Sequence, residues 1–243
     1  TPSTLREMDM IAATGEQVSV GLLSLALQAE GMPAISFAGW QVPVHTDSAY
    51  TKARIRQIDD ERVRAALGAG KVVIITGFQG IDDQGNITTL GRGGSDTSAV
   101  AIAAALKADE CLIYTDVDGV YTTDPRIAPK AKRIDSISFS EASDMAAYGA
   151  KVLHPATLMP AMRKNIPVFV GSSKDTAAGG TLVCCTTENP PSYRAVAVRR
   201  KQTLVRLHSL NSQPSYRFLA QIFALLEQHT VAADLVTTSE NSI

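Results

Sequence analysis

"GRGGSDTSAVAIAAALKADECLIYTD", residues 91–116, decides the fold. Its middle, "AVAIAAAL", is apolar on all sides and built of small side chains, which suits a helix packed tightly into a core. "ECLIYTD" then reads as a buried strand running into an acidic turn. A buried helix feeding a buried strand is one unit of an α/β protein.

The same alternation extends in both directions. Upstream, "KVVIITGF" (71–78) predicts a strand buried on both faces, and "GIDDQGNITTL" (80–90) a hairpin-like excursion. "VSVGLLSLALQAEG" (18–31) predicts a largely buried helix with Gly31 at its C-cap, and "AISFAGWQV" (34–42) a strand. "TKARIRQIDDERVRAALGAG" (51–70) reads as one charged, amphipathic helical stretch. Downstream, 139–165 is helical with a break near Gly149 to Pro155, and "IPVFVGS" and "GGTLV" are strands. Repeated strand and helix order implies a parallel sheet.

Composition limits the ligands. The chain has 243 residues, 45% hydrophobic and 19% charged, with a net charge of -1. That balance shows no electrostatic footprint for nucleic acid or an anionic membrane, so the expected ligands are small. Cys111, Cys184 and Cys185 form no CxxC pair and no zinc spacing, and read as reduced thiols of a cytosolic protein. No signal-like segment opens the chain, and its apolar stretches look shorter than the ~20 residues that cross a bilayer. "TPSTLREMDMIAATGEQ" has no initiator methionine and enters a helix at once, so we expect a part of a longer polypeptide.

The glycine loop matches neither standard phosphate motif. A Walker A loop needs GxxxxGK[ST] and a dinucleotide fingerprint GxGxxG, and "GRGGSDTS" fits neither. Consecutive glycines ahead of a helix still let backbone amides approach an anion. In the plain alternative, Ser95 or Asp96 caps the helix and the glycines only turn the chain. Arg92 favours a ligand, because a guanidinium in such a turn is suited to bidentate recognition of a carboxylate or phosphate.

"YTDVDGVYTTDPR" (114–126) places Asp116, Asp118 and Asp124 just past a strand end, where open α/β sheets hold ligands. The calcium-loop spacing is not met. Turn capping accounts for any one of these carboxylates; three together with Tyr121 and Arg126 argue for a nucleotide site. His45, His154, His208 and His229 have no paired spacing and read as structural, Lys151 alone carries little, and Glu16 in "TGEQ" suits a helix first turn.

Taken together, "TGEQVSVGLLSLAL", "VIITGFQG", "TTLGRGGSDTSAV", "IYTDVDGVYTTDPR", "GAKVLHPATLMPA" and "IPVFVGSSKD" resemble, in order and spacing, the aspartate kinases of the amino acid kinase family. "LHSLN" through "ADLVTTSE" is similar to the start of the ACT regulatory region of the lysine-sensitive type. The resemblance covers essentially the whole chain and implies a three-layer αβα sandwich with a mainly parallel sheet at 1–184, a linker at 185–194 and a partial α+β ACT domain at 195–243.

It also implies an activity: phosphoryl transfer from MgATP to the β-carboxylate of L-aspartate. Carried over, the aspartate site uses Glu16 for the ammonium, Phe78 as a wall and Arg92 for the α-carboxylate, with Ser95 and Asp96 beside them. Arg92 and Asp96 are the catalytic candidates, and Thr115, Asp116, Tyr121, Arg126, Lys151 and Val152 the ATP-site candidates. No protein metal site is implied; Mg²⁺ arrives with ATP. The lysine-site candidates are Ser212, Ser215, Leu219, Ala233, Asp234, Thr238 and Glu240.

Two departures qualify this. The family's "KFGGTS"-type first-strand motif is not in this sequence, so we expect the chain alone to be catalytically weakened. The ACT unit looks incomplete, and pairing of such units leads us to expect a homodimer or higher homo-oligomer. The alternatives are another enzyme of the family, such as an acetylglutamate or uridylate kinase, and a non-catalytic lysine-sensing subunit.

Overall fold

A computed structural model of the chain describes residues 2–150, 153–186, 191–198, 200–208, 215–229, 231, 233 and 235–238. They fall into two compact units, Thr1–Val198 and Arg199–Ile243. The division lies beyond the expected 185–194 linker, because Arg194 pairs with Glu141 at 3.0 Å and the Val196 amide donates to the Thr122 carbonyl at 2.8 Å.

The first unit opens on helices α1 (Pro2–Ala12) and α2 (Thr14–Ala29), and Gly31 at φ 79 turns the chain out of α2. Strands β1 (Ala34–Phe37) and β4 (Val72–Ile75) form a parallel pair. Ile35, Phe37, Val73 and Ile75 alternate onto one face of it, against Val63 and Ala66 of α3 (Glu61–Gly68). Helix α2 also packs on this pair.

A second sheet has the order β3 (Ile55–Ile58), β2 (Val44–Thr46), β5 (Gln79–Ile81), β6 (Ile87–Thr89). Strands β5 and β6 form the expected hairpin, closed at Gly85 with φ 79.

The third sheet contributes most to the core. Its order is β7 (Cys111–Thr115), β9 (Val168–Ser172), β10 (Gly180–Cys184), β8 (Ser136–Ser138). Against it pack α4 (Gly94–Leu106), α5 (Phe139–Ala147) and α6 (Pro155–Lys164), and Val100, Ala103, Ile113, Ile137, Leu158 and Val168 share one buried cluster. Small residues let α4 lie close to the strands, as its sequence predicts. Among the described residues four strand pairings are parallel and three antiparallel.

Several expectations are corrected. The 51–70 stretch is strand β3 followed by helix α3: Ile55–Ile58 pairs with β2, and cross-strand bonding overrides its charged character. Strands β2 and β8, three residues each, are too short to give a sequence pattern of their own. Helix α2 is not largely buried, since Val18, Leu22 and Leu25 are exposed and Ser24 is its buried residue; the two-stranded β1–β4 sheet is too narrow to cover it. Strand β4 is only half-buried, with Val72 exposed, and β7 alternates, with Cys111 and Ile113 inside and Leu112 and Tyr114 outside.

The Ser3–Ala29 run of helix, contrary to the sequence reading, is long and apolar enough by length and composition to cross a membrane. Within the fold, however, its Asp9 is buried and bonded to β6, and α2 rests on β1 and β4. In the second unit α7 (Ser215–Gln228) supplies the helical part of the expected α+β unit, whereas no strand occurs among its described residues.

Candidate active site

Helix α4 starts from Gly93 in the left-handed conformation, φ 72, with no side-chain cap. Ser95 and Asp96 therefore lie inside the first helical turn, and the capping alternative falls. Gly91 also has φ 75, so the chain turns twice around Arg92, whose side chain is exposed and has no ion pair among the described residues. An exposed, unengaged guanidinium thus lies two residues ahead of the first residue of α4, and residue types of this kind at a helix start suit a carboxylate or phosphate.

A second loop closes on this turn. Phe78 has φ 68, a left-handed conformation that costs a bulky residue roughly 1–3 kcal/mol. It is held there from both sides: its amide donates to Ser98 Oγ at 3.0 Å, and its carbonyl accepts from the Leu90 amide at 2.9 Å. Gly77 lies close to Ser95, where an added Cβ would be 3.3 Å from the Ser95 Cα. Phe78, Arg92, Ser95 and Asp96 are therefore neighbours.

Glu16 sits half-buried in the first turn of α2. Gln79, next to Phe78, ties that helix to the site by donating to the Ala13 carbonyl at 3.0 Å and accepting from Gln17 at 3.3 Å. Desolvation by burial raises the Asp96 carboxyl above its usual range.

The acidic loop is only partly available to a ligand. Asp118 accepts from the Tyr121 hydroxyl at 2.9 Å and lies 3.6 Å from Arg133. Asp124 takes Arg126 in a fork, with contacts of 3.0 and 2.8 Å, so these two carboxylates serve the loop itself. That hydrogen bond to Asp118, with burial second, raises the Tyr121 hydroxyl. Asp116 stays exposed at the end of β7 and accepts from Thr115 at 3.2 Å.

Lys151 and Val152 lie outside the described residues. Their downstream neighbour His154 abuts the glycine turn, its Cβ 3.1 Å from where a Gly93 Cβ would stand, and Thr97 and Thr157 hydroxyls join α4 to α6 at 2.9 Å. In the second unit, Ser212, Asp234 and Glu240 lie outside the described residues. Ser215 begins α7, Leu219 is half-buried on it, and Ala233 and Thr238 are exposed.

The residues that sequence reasoning missed are buried polar ones: Asp9, Gln79, Ser98 and Thr181. Gln79 and Ser98 lie within the quoted motifs, but the partners of all four are distant in the chain, where no local pattern registers them. A concavity of about 310 Å³, lined by Arg6, Met10, Trp40, Ile81, Gly85, Asn86 and Ile87, contains no candidate residue. Its one charged group already bonds Asn86 and Glu7, whereas Arg92 at the glycine turn has no ion pair among the described residues.

A family model described as the amino acid kinase family matches residues 2–172. The chain belongs to the amino acid kinase family. Among its relatives, the lysine-sensitive aspartokinase 3 of Escherichia coli K12 is 60% identical over 172 residues, 71% of this chain and 38% of that protein. An aspartate kinase of Pseudomonas fluorescens is 50% identical over 216 residues, 88% of this chain and 52% of that protein. A crystal structure of E. coli aspartokinase III in complex with aspartate and ADP superposes at a TM-score of 0.89 with 48% identity, covering 100% of this chain and 54% of that one. The chain thus has the α/β amino acid kinase fold and spans about half the length of the relatives it matches.

Proposed function

We propose that this chain forms the aspartate- and nucleotide-binding part of an aspartate kinase, which transfers the γ-phosphoryl group of MgATP to the β-carboxylate of L-aspartate and yields 4-phospho-L-aspartate and ADP. The observation that carries this reading is Arg92, exposed between two left-handed glycines at the start of α4 and beside the strained Phe78. Kinship with a lysine-sensitive aspartokinase and the likeness to a structure holding aspartate and ADP support it.

In this reading Arg92 grips the α-carboxylate, Glu16 takes the ammonium, Phe78 walls the side chain, and Ser95 and Asp96 border the reacting end. The nucleophile is a carboxylate with an ordinary pKa of about 3.9, ionised at neutral pH, so no general base is needed. Catalysis is then positioning and charge stabilisation. MgATP supplies the phosphoryl group, and Thr115, Asp116, Tyr121, Arg126, Lys151 and Val152 would hold it. The exposed Asp116 suits Mg²⁺, which commonly takes one or two carboxylates along with nucleotide phosphates.

The second unit would bind lysine through Ser212, Ser215, Leu219, Ala233, Asp234, Thr238 and Glu240, in a homo-oligomer. Three free thiols support a cytoplasmic setting.

Calorimetric titration with aspartate and with ADP tests the proposal. The expected result is binding of both, with Arg92→Ala losing aspartate and keeping ADP. Lysine binding without either substrate would make the sensing-subunit reading the better one.

A further inference from the structure

We propose that Asp9 is a positioning residue which, with Gln79, sets the spacing between Glu16 and Arg92. This rests on the aspartate-binding reading above and extends it to residues outside the site.

Asp9, on α1, is 1% exposed. Its carboxylate accepts from the Thr51 amide at 3.0 and 2.9 Å, from the Thr89 amide at 2.8 Å and from the Thr89 hydroxyl at 2.7 Å. No cation faces it among the described residues, so N–H and O–H donors alone compensate its burial. Such an arrangement holds only while those donors stay in place.

Both partners border the glycine turn. Thr89 ends β6, immediately before Leu90 and Gly91. Thr51 has φ 69, and its carbonyl oxygen lies 2.8 Å from where a Cβ on Gly91 would stand. Asp9 therefore holds the two backbone segments that fix the approach to Arg92.

Gln79 makes the matching connection. Also 1% exposed, it bonds the Ala13 carbonyl, where α1 passes into α2, and the side chain of Gln17, next to Glu16. One helix pair carries Glu16, and the β5–β6 hairpin leads from Phe78 to Arg92. Two buried polar side chains bolt these pieces together. An α-amino acid presents its ammonium and α-carboxylate at a fixed separation, so the two receiving charges must be held at a fixed separation as well.

The test uses the whole chain with Asp9→Asn, which keeps the shape but offers an N–H₂ where a donor is already present, and with Thr89→Val, which removes one donor. Aspartate, succinate and ADP affinities are measured by calorimetry at a temperature where circular dichroism shows each variant folded. Succinate retains both carboxylates and lacks the ammonium.

Asp9→Asn is expected to weaken aspartate binding roughly tenfold, the scale of one lost charge-assisted hydrogen bond. The preference for aspartate over succinate should shrink, and ADP affinity should stay unchanged. Thr89→Val should move the same quantities in the same direction by less, and it decides the matter if Asp9→Asn does not fold. Equal weakening of all three ligands, or a lowered melting temperature with the aspartate preference intact, would overturn the positioning role. A parent chain that binds ADP but not aspartate would overturn the functional reading, and this inference with it.

Discussion

The Phe78 ring occupies the space that a side chain on Gly94 would need: a Cβ built there would lie 2.8 Å from Phe78 Cδ2 and 3.1 Å from the Leu90 Cβ. Substituting Gly94→Ala therefore pushes the ring or the loop outward. We expect a loss of about 1–3 kcal/mol, typical of overpacking, together with weaker aspartate binding. Thermal denaturation and calorimetry on the same variant check both; an unchanged aspartate affinity would show that Phe78 is not part of the wall.

Thr181 staples the acidic loop to the third sheet. Fully buried, its hydroxyl accepts from the Val120 amide at 2.8 Å and donates to the Ile134 carbonyl at 2.6 Å. Gly119, at φ 141, passes so close that a Cβ would lie 2.6 Å from that oxygen. Thr181→Val keeps the shape and strands both backbone groups, at a cost of about 1–3 kcal/mol. The melting temperature should fall by several degrees, and a drop of under one degree would contradict this.

Glu141 and Ser138 form a capping box on α5: each side chain bonds the other's amide, at 2.9 and 3.2 Å, and Arg194 adds an ion pair at 3.0 Å. Burial raises the Glu141 carboxyl, but the Ser138 donors and Arg194 outweigh it and leave it below the usual range. A carboxyl lowered in the folded state stabilises fully above its unfolded pKa of about 4.3, and loses that contribution as pH falls through the folded value. Ser138→Ala should cost about 1 kcal/mol at neutral pH. Denaturation midpoints taken between neutral and acidic pH should show the penalty for Glu141→Gln fading in acid.

Asp96 has the opposite sign. Its carboxyl is raised by burial, so its favourable contribution is complete below the unfolded pKa of about 3.9 and disappears as pH rises through the folded value. Asp96→Asn should raise the melting temperature at neutral pH by a few degrees, lose that advantage in acid and impair phosphoryl transfer. A neutral-pH melting temperature at or below that of the parent would refute this.

Local patterns made much of this fold readable. The small apolar run of α4, the Gly85 turn between β5 and β6 and the helix break between α5 and α6 lie where the sequence places them, because each rests on contacts a few residues apart. Charged 51–70 misled because Ile55–Ile58 is held by cross-strand bonds to β2, which residue-by-residue propensity does not register. The apolar residues of α2 looked buried because hydrophobic spacing reports which face could be covered, not how wide the covering sheet is.

The candidate site divides in the same way. Arg92 between its glycines, Glu16 in a helix first turn and the acidic run 116–126 were legible because a motif keeps its residue types adjacent in the chain. Asp9 and Gln79 were not: Asp9 meets Thr89 across 80 positions, and Gln79 meets Ala13 across 66. An aspartate in a helix reads as a solvated charge until folding removes the water and supplies three donors in its place. The sequence alone determined which chemical groups the candidate site contains; only the tertiary structure decided their spacing, because burying an ionised carboxylate requires partners from distant segments to converge on it.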